Sequence, residues 1–153
     1  MSETLSALFQ QSSGEAIDVG GRAAQPIFVM KLGKGRQEFL VRRVKSKNAP
    51  VSGLRLKTTK GTIEVNGQQH SEIVLWADTS PQELSIIVSC KSACELKAWN
   101  VWRVDDLTQA WVGNAGLVVE EINEGFTLRC SDGVGNVDFD DFVVQIMPKS
   151  RQQ

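Results

Sequence analysis

The sequence predicts an all-β protein: an antiparallel β-sandwich of the jelly-roll type with about ten strands. Short runs rich in Val, Ile, Leu and aromatic residues follow one another from Pro26 to Met147, and clusters of turn residues separate them. These clusters recur about every 8–12 residues, the spacing typical of sandwiches and barrels. The crossover helices that a parallel α/β sheet requires are missing from the pattern.

The first five strands are bounded by clear turn signals. Leu54–Thr59 alternates apolar with basic residues, as a strand buried on one face does. Ala49 precedes a proline and therefore leaves the helical region, which places a loop before this strand. Asn66-Gly67 is the strongest hairpin signal, because both residues tolerate positive φ. These strands are predicted at 26–32, 38–45, 54–59, 62–65 and 72–77.

Six further strands follow, and the fold is expected to be organised around them. Glu83–Cys90 alternates cleanly, and Cys94–Val104 places Leu96, Ala98, Asn100 and Trp102 on one face. Glycine and asparagine turns separate the rest. The six strands are predicted at 83–90, 94–104, 109–112, 117–122, 126–130 and 137–147.

The 153 residues suit a single domain. Residues 1–25 are rich in Ser, Gly, Gln and Ala and form an N-terminal segment that is loose or docked, with Leu5, Leu8 and Phe9 on one face of a short helix that Ser2 or Thr4 begins. Residues 26–148 form the sandwich, and residues 149–153 a C-terminal tail.

Composition and sequence patterns limit the cellular compartments and the classes of partner that we expect for this protein. The net charge of −1 indicates neither a nucleic-acid nor an acidic-lipid partner. The first residues lack a signal-peptide pattern, and no apolar run reaches the roughly 18 residues of a membrane span. Three cysteines argue against a disulfide framework. We therefore expect a cytoplasmic protein without a membrane partner.

The cysteines are expected to be inert thiols. Cys90 and Cys130 fall on the apolar phase of their strands, which suits buried free thiols. Two alternatives stay open. Cys90, Cys94, Cys130 and His70 have the composition of a Cys₃His zinc site, and Cys90 and Cys94 straddle a turn across which they could form a disulfide.

Charge is sorted along the chain. Residues 31–60 contain ten Lys/Arg and one acid, a net +9, whereas residues 61–146 contain fourteen acids and four bases, a net −10. The simplest interpretation is solvated strand faces, in a dipolar molecule. A nucleic-acid-binding β domain is one alternative, but only Phe39 interleaves with the basic residues, too few aromatics for a stacking platform. The other is a homo-oligomeric structural or assembly protein in which basic and acidic faces meet.

The tryptophans suggest a ligand site. Trp99 lies among charged residues on the face of 94–104 opposite to Leu96, so we expect its ring to be exposed, whereas Trp102 is expected to be buried unless the phase is reversed. A flat aromatic ring buries the apolar face of a pyranose. The candidate ligand-binding residues are Trp99, Asn100, Trp102 and Arg103.

The last predicted strand, with the sequence DFDDFVVQI over residues 138–146, resembles the closing strand of galactose-binding-like jelly rolls, a group that includes many carbohydrate-binding modules. The resemblance covers about the last 75 residues. It implies a carbohydrate ligand. It also implies a calcium ion that ties the first and last strands together, with Asp138, Asp140 and Asp141 as candidate ligands.

The glycine loop before these acids does not fit an EF-hand. Cys130 and Val134 would stand at ligand positions 1 and 5, where oxygen ligands belong. Calcium would therefore bind in another geometry. The alternative is a β-turn without a metal, bordered by solvated carboxylates. No other cofactor is expected.

Catalysis has little support in the sequence. His70 is the only histidine and has no evident Ser or Cys partner, and no phosphate-binding or dinucleotide-binding motif is present. A hydrolase acting on glycans stays an alternative that needs carboxylates from separate strands. The leading hypothesis is a non-catalytic binding or interaction module that recognises carbohydrate.

Overall fold

A computed structural model describes residues 3–123 and 125–149. These residues form a short helix and fourteen strands in two antiparallel sheets, consistent with a β-sandwich. The prediction of an all-β antiparallel fold is confirmed. The jelly-roll connection stays a prediction, and residues 150–153 of the predicted tail lie outside the described residues.

The helix α1 spans Leu5–Gln11. The strands, in chain order, are β1 (Ile17–Val19), β2 (Arg22–Gln25), β3 (Phe28–Leu32), β4 (Gly35–Ser46), β5 (Val51–Thr58), β6 (Gly61–Val65), β7 (Gln68–His70), β8 (Glu72–Trp76), β9 (Glu83–Cys90), β10 (Cys94–Val104), β11 (Leu107–Gln109), β12 (Gly116–Ile122), β13 (Gly125–Ser131) and β14 (Phe142–Pro148).

The larger sheet has nine strands in the order β1-β2-β12-β13-β14-β4-β9-β6-β7. The smaller sheet has the order β11-β10-β5-β8. Strand β3 also pairs with β10, from Cys94↔Leu32 to Ala98↔Phe28, while β11 pairs with the last three residues of β10. Strand β10 is therefore hydrogen-bonded along both edges and forms the centre of the smaller sheet.

The main core contains apolar residues of both sheets. Leu56 of β5, Leu96 of β10 and Ile86 of β9 are all fully buried in it. Period-two alternation explains this arrangement, because every second residue of a strand points to the same face. The predicted alternation of 83–90 is visible in the burial of Ile86, Val88 and Cys90.

A second, smaller cluster holds the N-terminal residues against the larger sheet. Thr4 caps α1 by accepting a hydrogen bond from the Ala7 N–H. Leu5 and Phe9 are buried, and both approach Gly116, where a Cβ would lie 3.1–3.3 Å from their side chains. Ala24, Val118 and Phe139 complete this cluster.

The predicted last strand begins too early. Residues 137–141 are not in a strand, and β14 starts at Phe142. Asp138 explains the difference. Its carboxylate accepts a hydrogen bond from the Asp140 N–H, and its carbonyl accepts one from the Asp141 N–H. Such local bonds offer the backbone an alternative to a strand ladder.

Other boundaries also differ from the prediction of about ten strands. The predicted strand 109–112 is wrong, because the strand there is β11 and Trp111 adopts a positive φ of 58°. The hairpin predicted at Asn66-Gly67 is confirmed, since β6 and β7 pair across it, but β7 was not predicted as a strand, and β1 and β2 were missed altogether. They are three or four residues long and mostly polar or small, so their periodicity is too short to recognise.

Candidate functional site

Strand β10 divides the four candidate ligand residues between two faces of its sheet. Asn100 and Trp102 share the inner face with Leu96, whereas Trp99 and Arg103 share the outer face. The four residues therefore do not form one site. The outer face contains the candidate binding site, and the inner face contributes to the core.

The predicted exposure of Trp99 is wrong, because only 6% of its surface is accessible. Trp111 covers it. The two rings stack with centroids 4.9 Å apart at an angle of 27°. Trp111 is 45% exposed, and its indole N–H donates a hydrogen bond to the Pro26 carbonyl at 3.2 Å. The accessible aromatic surface that sequence reasoning assigned to Trp99 therefore belongs to Trp111.

A third tryptophan lies on the same outer face, two strands away. Trp76 of β8 pairs with Gly53 of β5, which in turn pairs with Val101 of β10. A Cβ on Gly53 would lie 2.8 Å from the Trp76 ring, so glycine is needed for the ring to lie over β5. Val101 is fully buried although it belongs to the outer face.

Two arginines flank the tryptophans, and each is paired with an acid. Arg55 lies 3.0 Å from Glu72, and its guanidinium is 6.0 Å from the centre of the Trp99 ring. Arg103 pairs with Asp78 and lies 4.6 Å from the Trp76 ring. The hydrogen bond from Arg55 lowers the pKa of Glu72, against the opposing effect of burial. The outer face thus combines aromatic rings with charge-balanced hydrogen-bonding groups.

Asn100 and Trp102 have structural partners on the inner face. The Asn100 side-chain amide donates to the Ser131 carbonyl at 2.9 Å, as a buried amide requires. Trp102 is buried and packs against Gly133, where a Cβ would lie 2.4 Å from the indole ring. Asn100 thus connects β10 to the end of β13, and Trp102 connects it to the loop between β13 and β14.

The three candidate calcium ligands interact with different residues. Asp140 pairs with Arg129 at 2.7 Å, and Asp138 accepts the Asp140 N–H. Asp141 is buried beside Lys47. Within residues 3–123 and 125–149, no three His, Cys, Asp or Glu side chains are grouped so that they could hold a metal ion. The geometry therefore adds no support to the calcium hypothesis.

Lys47 provides the positive charge beside the glycine loop. Its ammonium lies 3.0 Å from an oxygen of Asp132 and 3.2 Å from an oxygen of Asp141. Both carboxylates are almost fully buried, and the Asp132 N–H donates to Asp141. The Asp132 oxygen nearest to Lys47 forms an ion pair with its ammonium group, but the two groups are not oriented for a hydrogen bond. Sequence reasoning did not bring Asp132 and Lys47 together, because they are 85 residues apart.

Two members of the cluster of Lys47, Asp132 and Asp141 have a raised pKa, namely Lys47 and Asp141. Burial raises the pKa of Asp141, and the charge of Asp132 adds to this effect, while the Asp132 N–H and Lys47 oppose it. Burial alone would lower the pKa of Lys47, but the two carboxylates beside it raise it. Burial is thus the main cause of the direction for Asp141, and the neighbouring negative charges are the cause for Lys47.

Replacing Asp141 by Asn is expected to change the pH dependence of stability. The raised pKa of Asp141 means that its proton stabilises the fold fully below the ordinary value of 3.8 and that this contribution is lost as pH rises through the raised value. Between about pH 7 and pH 4, acidification should therefore favour the wild type relative to Asp141→Asn. Urea unfolding of both proteins at several pH values measures this difference, and a constant difference would contradict the assignment.

The cysteines divide into a disulfide and a buried thiol. A disulfide joins Cys90 to Cys94, so the prediction of inert thiols is wrong for these two residues. Cys130 is a free, buried thiol whose pKa is raised by burial and by the charge of Asp141. Its burial agrees with the prediction. His70 is exposed in β7, and the Cys₃His zinc alternative has no support, since two of its sulfurs are bonded to each other.

Ion pairs join the basic segment 31–60 to the acidic remainder of the chain. Arg42 pairs with Glu83, Arg55 with Glu72, and Lys47 with two aspartates. The dipole expected from the sequence is therefore partly compensated within the fold.

No helix in the described chain has the length and apolar character that a bilayer crossing requires. Comparison with family models, curated proteins and solved structures gives no match.

Proposed function

We propose that this chain is a non-catalytic binding module whose ligand is carbohydrate, held on the outer face of the smaller sheet. The stacked pair of Trp99 and Trp111 supports this proposal most directly. Aromatic side chains with an accessible face are common at binding sites, and the flat face of an indole suits the apolar face of a sugar ring. Trp111 presents such a ring at the surface.

The site is held in place before any ligand binds. Trp111 is fixed by stacking on Trp99 and by its hydrogen bond to Pro26. A side chain that is already ordered loses little entropy on binding, which favours affinity. The guanidinium and carboxylate groups of the two flanking ion pairs supply donors and acceptors for sugar hydroxyls.

The geometry favours binding over hydrolysis. A glycosidase needs two carboxyl groups about 5–10 Å apart across an open site. Four clefts on the described surface each contain at most one acidic side chain. The buried pair Asp132 and Asp141 faces Lys47 instead of an open cleft. The galactose-binding-like resemblance remains part of this proposal.

The disulfide gives information on the redox state of the cellular compartment in which the protein works. Disulfides persist in oxidising environments, so Cys90–Cys94 argues against the reducing cytoplasm that the odd cysteine count suggested. The assembly alternative is weakened because part of the basic segment finds its acidic partners within the same chain. We therefore favour a glycan-binding module that works in an oxidising compartment.

Replacing Trp111 by Ala is expected to weaken glycan binding strongly while leaving the fold intact. An anchoring tryptophan at a binding site contributes about 2 kcal/mol or more, which corresponds to roughly a thirtyfold loss of affinity. Its 45% exposure limits the effect on stability. A glycan array identifies the ligand, and isothermal titration calorimetry measures both proteins.

The matched control is Val44→Ala, which removes an exposed apolar side chain from β4 in the other sheet. It should bind like the wild type. If the wild type bound no glycan on the array, or if Trp111→Ala and Val44→Ala bound equally well, the proposal would fail.

A further inference from the structure

The outer face of the smaller sheet continues beyond the tryptophans into a lysine-rich region. Lys97 precedes Trp99 by two residues on β10, so it lies on the same face about 7 Å further along the strand. Lys57 of β5 is its cross-strand partner. The face therefore changes along the strands from aromatic to basic.

The basic region ends in a cleft of about 450 Å³ between three elements. Lys31 of β3, Lys60 of the turn after β5 and Glu95 of β10 line it. Glu95 pairs with Lys31 in the sheet, and its N–H and carbonyl both bond to Thr59. The disulfide at Cys94 lies beside the same cleft. The walls are thus fixed by backbone hydrogen bonds and a covalent link.

The charges of this region are balanced less completely than those beside the tryptophans. Glu72 lies opposite Lys57, and their charges interact, but Lys31, Lys60 and Lys97 exceed the remaining acid in number. Of the ion pairs among residues 3–123 and 125–149, none involves Lys31, Lys57, Lys60 or Lys97. Glu95 is the single acid in the cleft. The aromatic half, in contrast, has an acid for each arginine. One half of the face therefore suits neutral groups and the other suits anions.

We infer that the ligand is an acidic polysaccharide, whose neutral sugar rings lie on Trp111 while its carboxylate or sulfate groups reach the lysine-lined cleft. This inference rests on the proposed function and specifies its ligand class. A nucleic acid fits less well, because it carries a charge on every unit. Beside the tryptophans, Arg55 and Arg103 are already paired with Glu72 and Asp78, so they are less available to the phosphates of such a chain.

The test compares three polysaccharides with matched variants. Hyaluronan alternates neutral and carboxylated sugars, chondroitin sulfate adds sulfate, and dextran is neutral. The double variant Lys31→Gln/Lys60→Gln removes two charges from the cleft. The control Arg22→Gln/Lys45→Gln removes two exposed charges from the larger sheet. Thermal unfolding of each variant checks that it is folded.

The expected result is binding of hyaluronan or chondroitin sulfate that weakens at least about tenfold in the cleft variant, because two charge-assisted contacts are lost. The control should stay within about twofold, since its charges lie outside the site. A preference for chondroitin sulfate would assign the cleft to sulfate, and equal binding would assign it to carboxylate.

Two outcomes would overturn the inference while leaving the proposed function in place. One is equal affinity for dextran and the acidic polymers; the other is equal binding by the cleft and control variants when Trp111→Ala fails to bind. Binding of none of the three polysaccharides would overturn the inference, and the glycan array then decides whether the proposed function also fails. Tighter binding of single-stranded DNA, with the same dependence on the cleft lysines, would identify a nucleic-acid surface instead.

Discussion

Replacing Gly133 by Ala is expected to lower the free energy of unfolding by about 3 kcal/mol, because overpacking a rigid site costs this much. The new Cβ would lie 2.4 Å from the Trp102 ring and 2.5 Å from the Val112 carbonyl oxygen. The ring is fully buried, and the carbonyl belongs to the backbone, so neither moves easily. Urea unfolding followed by circular dichroism measures the change.

Gly33→Ala is the matched control. Gly33 also lies outside the positive-φ region, and a Cβ added there would have no other atom within 4 Å beyond its chain neighbours. Its substitution should leave stability unchanged or raise it slightly, since alanine restricts the unfolded chain. Equal effects at Gly33 and Gly133 would show that Trp102 does not pack against the loop as described.

Replacing Lys47 by Ala is expected to lower the free energy of unfolding by about 2–3 kcal/mol at neutral pH. Removing one partner of a buried ion pair leaves an uncompensated charge, at a cost of about 3–5 kcal/mol. The Lys47 side chain is 35% exposed, so solvent screens part of this cost and the lower figure applies. Two buried carboxylates, Asp132 and Asp141, would then lie together without a cation.

A second variant separates charge from packing. In Lys47→Ala/Asp141→Asn only one of the two carboxylates remains, so more than half of the lost stability should return. The penalty of Lys47→Ala should also shrink as pH falls, because protonation of Asp141 removes the repulsion. A loss below about 0.5 kcal/mol in Lys47→Ala would show that the ion pairs are marginal.

The fold followed from periodicity, but its finer features depend on tertiary contacts. Alternation in 83–90 predicted one buried face correctly, because β9 has a core on one side only. The same rule failed for 94–104, since both faces of β10 are covered in its second half. Whether a face of a strand is covered depends on residues outside that strand. Trp99 is covered by Trp111, which lies outside β10.

The candidate site was partly predictable for the same reason. Trp99 and Arg103 belong to the outer face, as their shared phase indicated. Trp76 and Gly53 reach that face through pairing between β5 and β8, which no local pattern specifies. The acids at 138–141 were predicted from the sequence as a possible metal site. In the structure, Asp141 forms an ion pair with Lys47 instead. Lys47 reaches Asp141 because β14 pairs with β4.

The edges of the larger sheet have a consequence for self-association. The sheet ends in β1 and β7, each only three residues long. Unpaired backbone groups at a sheet edge form a template on which another chain can add a strand. Two such short edges, one of them made of Gln68, Gln69 and His70, offer little length for that pairing. The edges of the larger sheet therefore form a poor template for fibril growth.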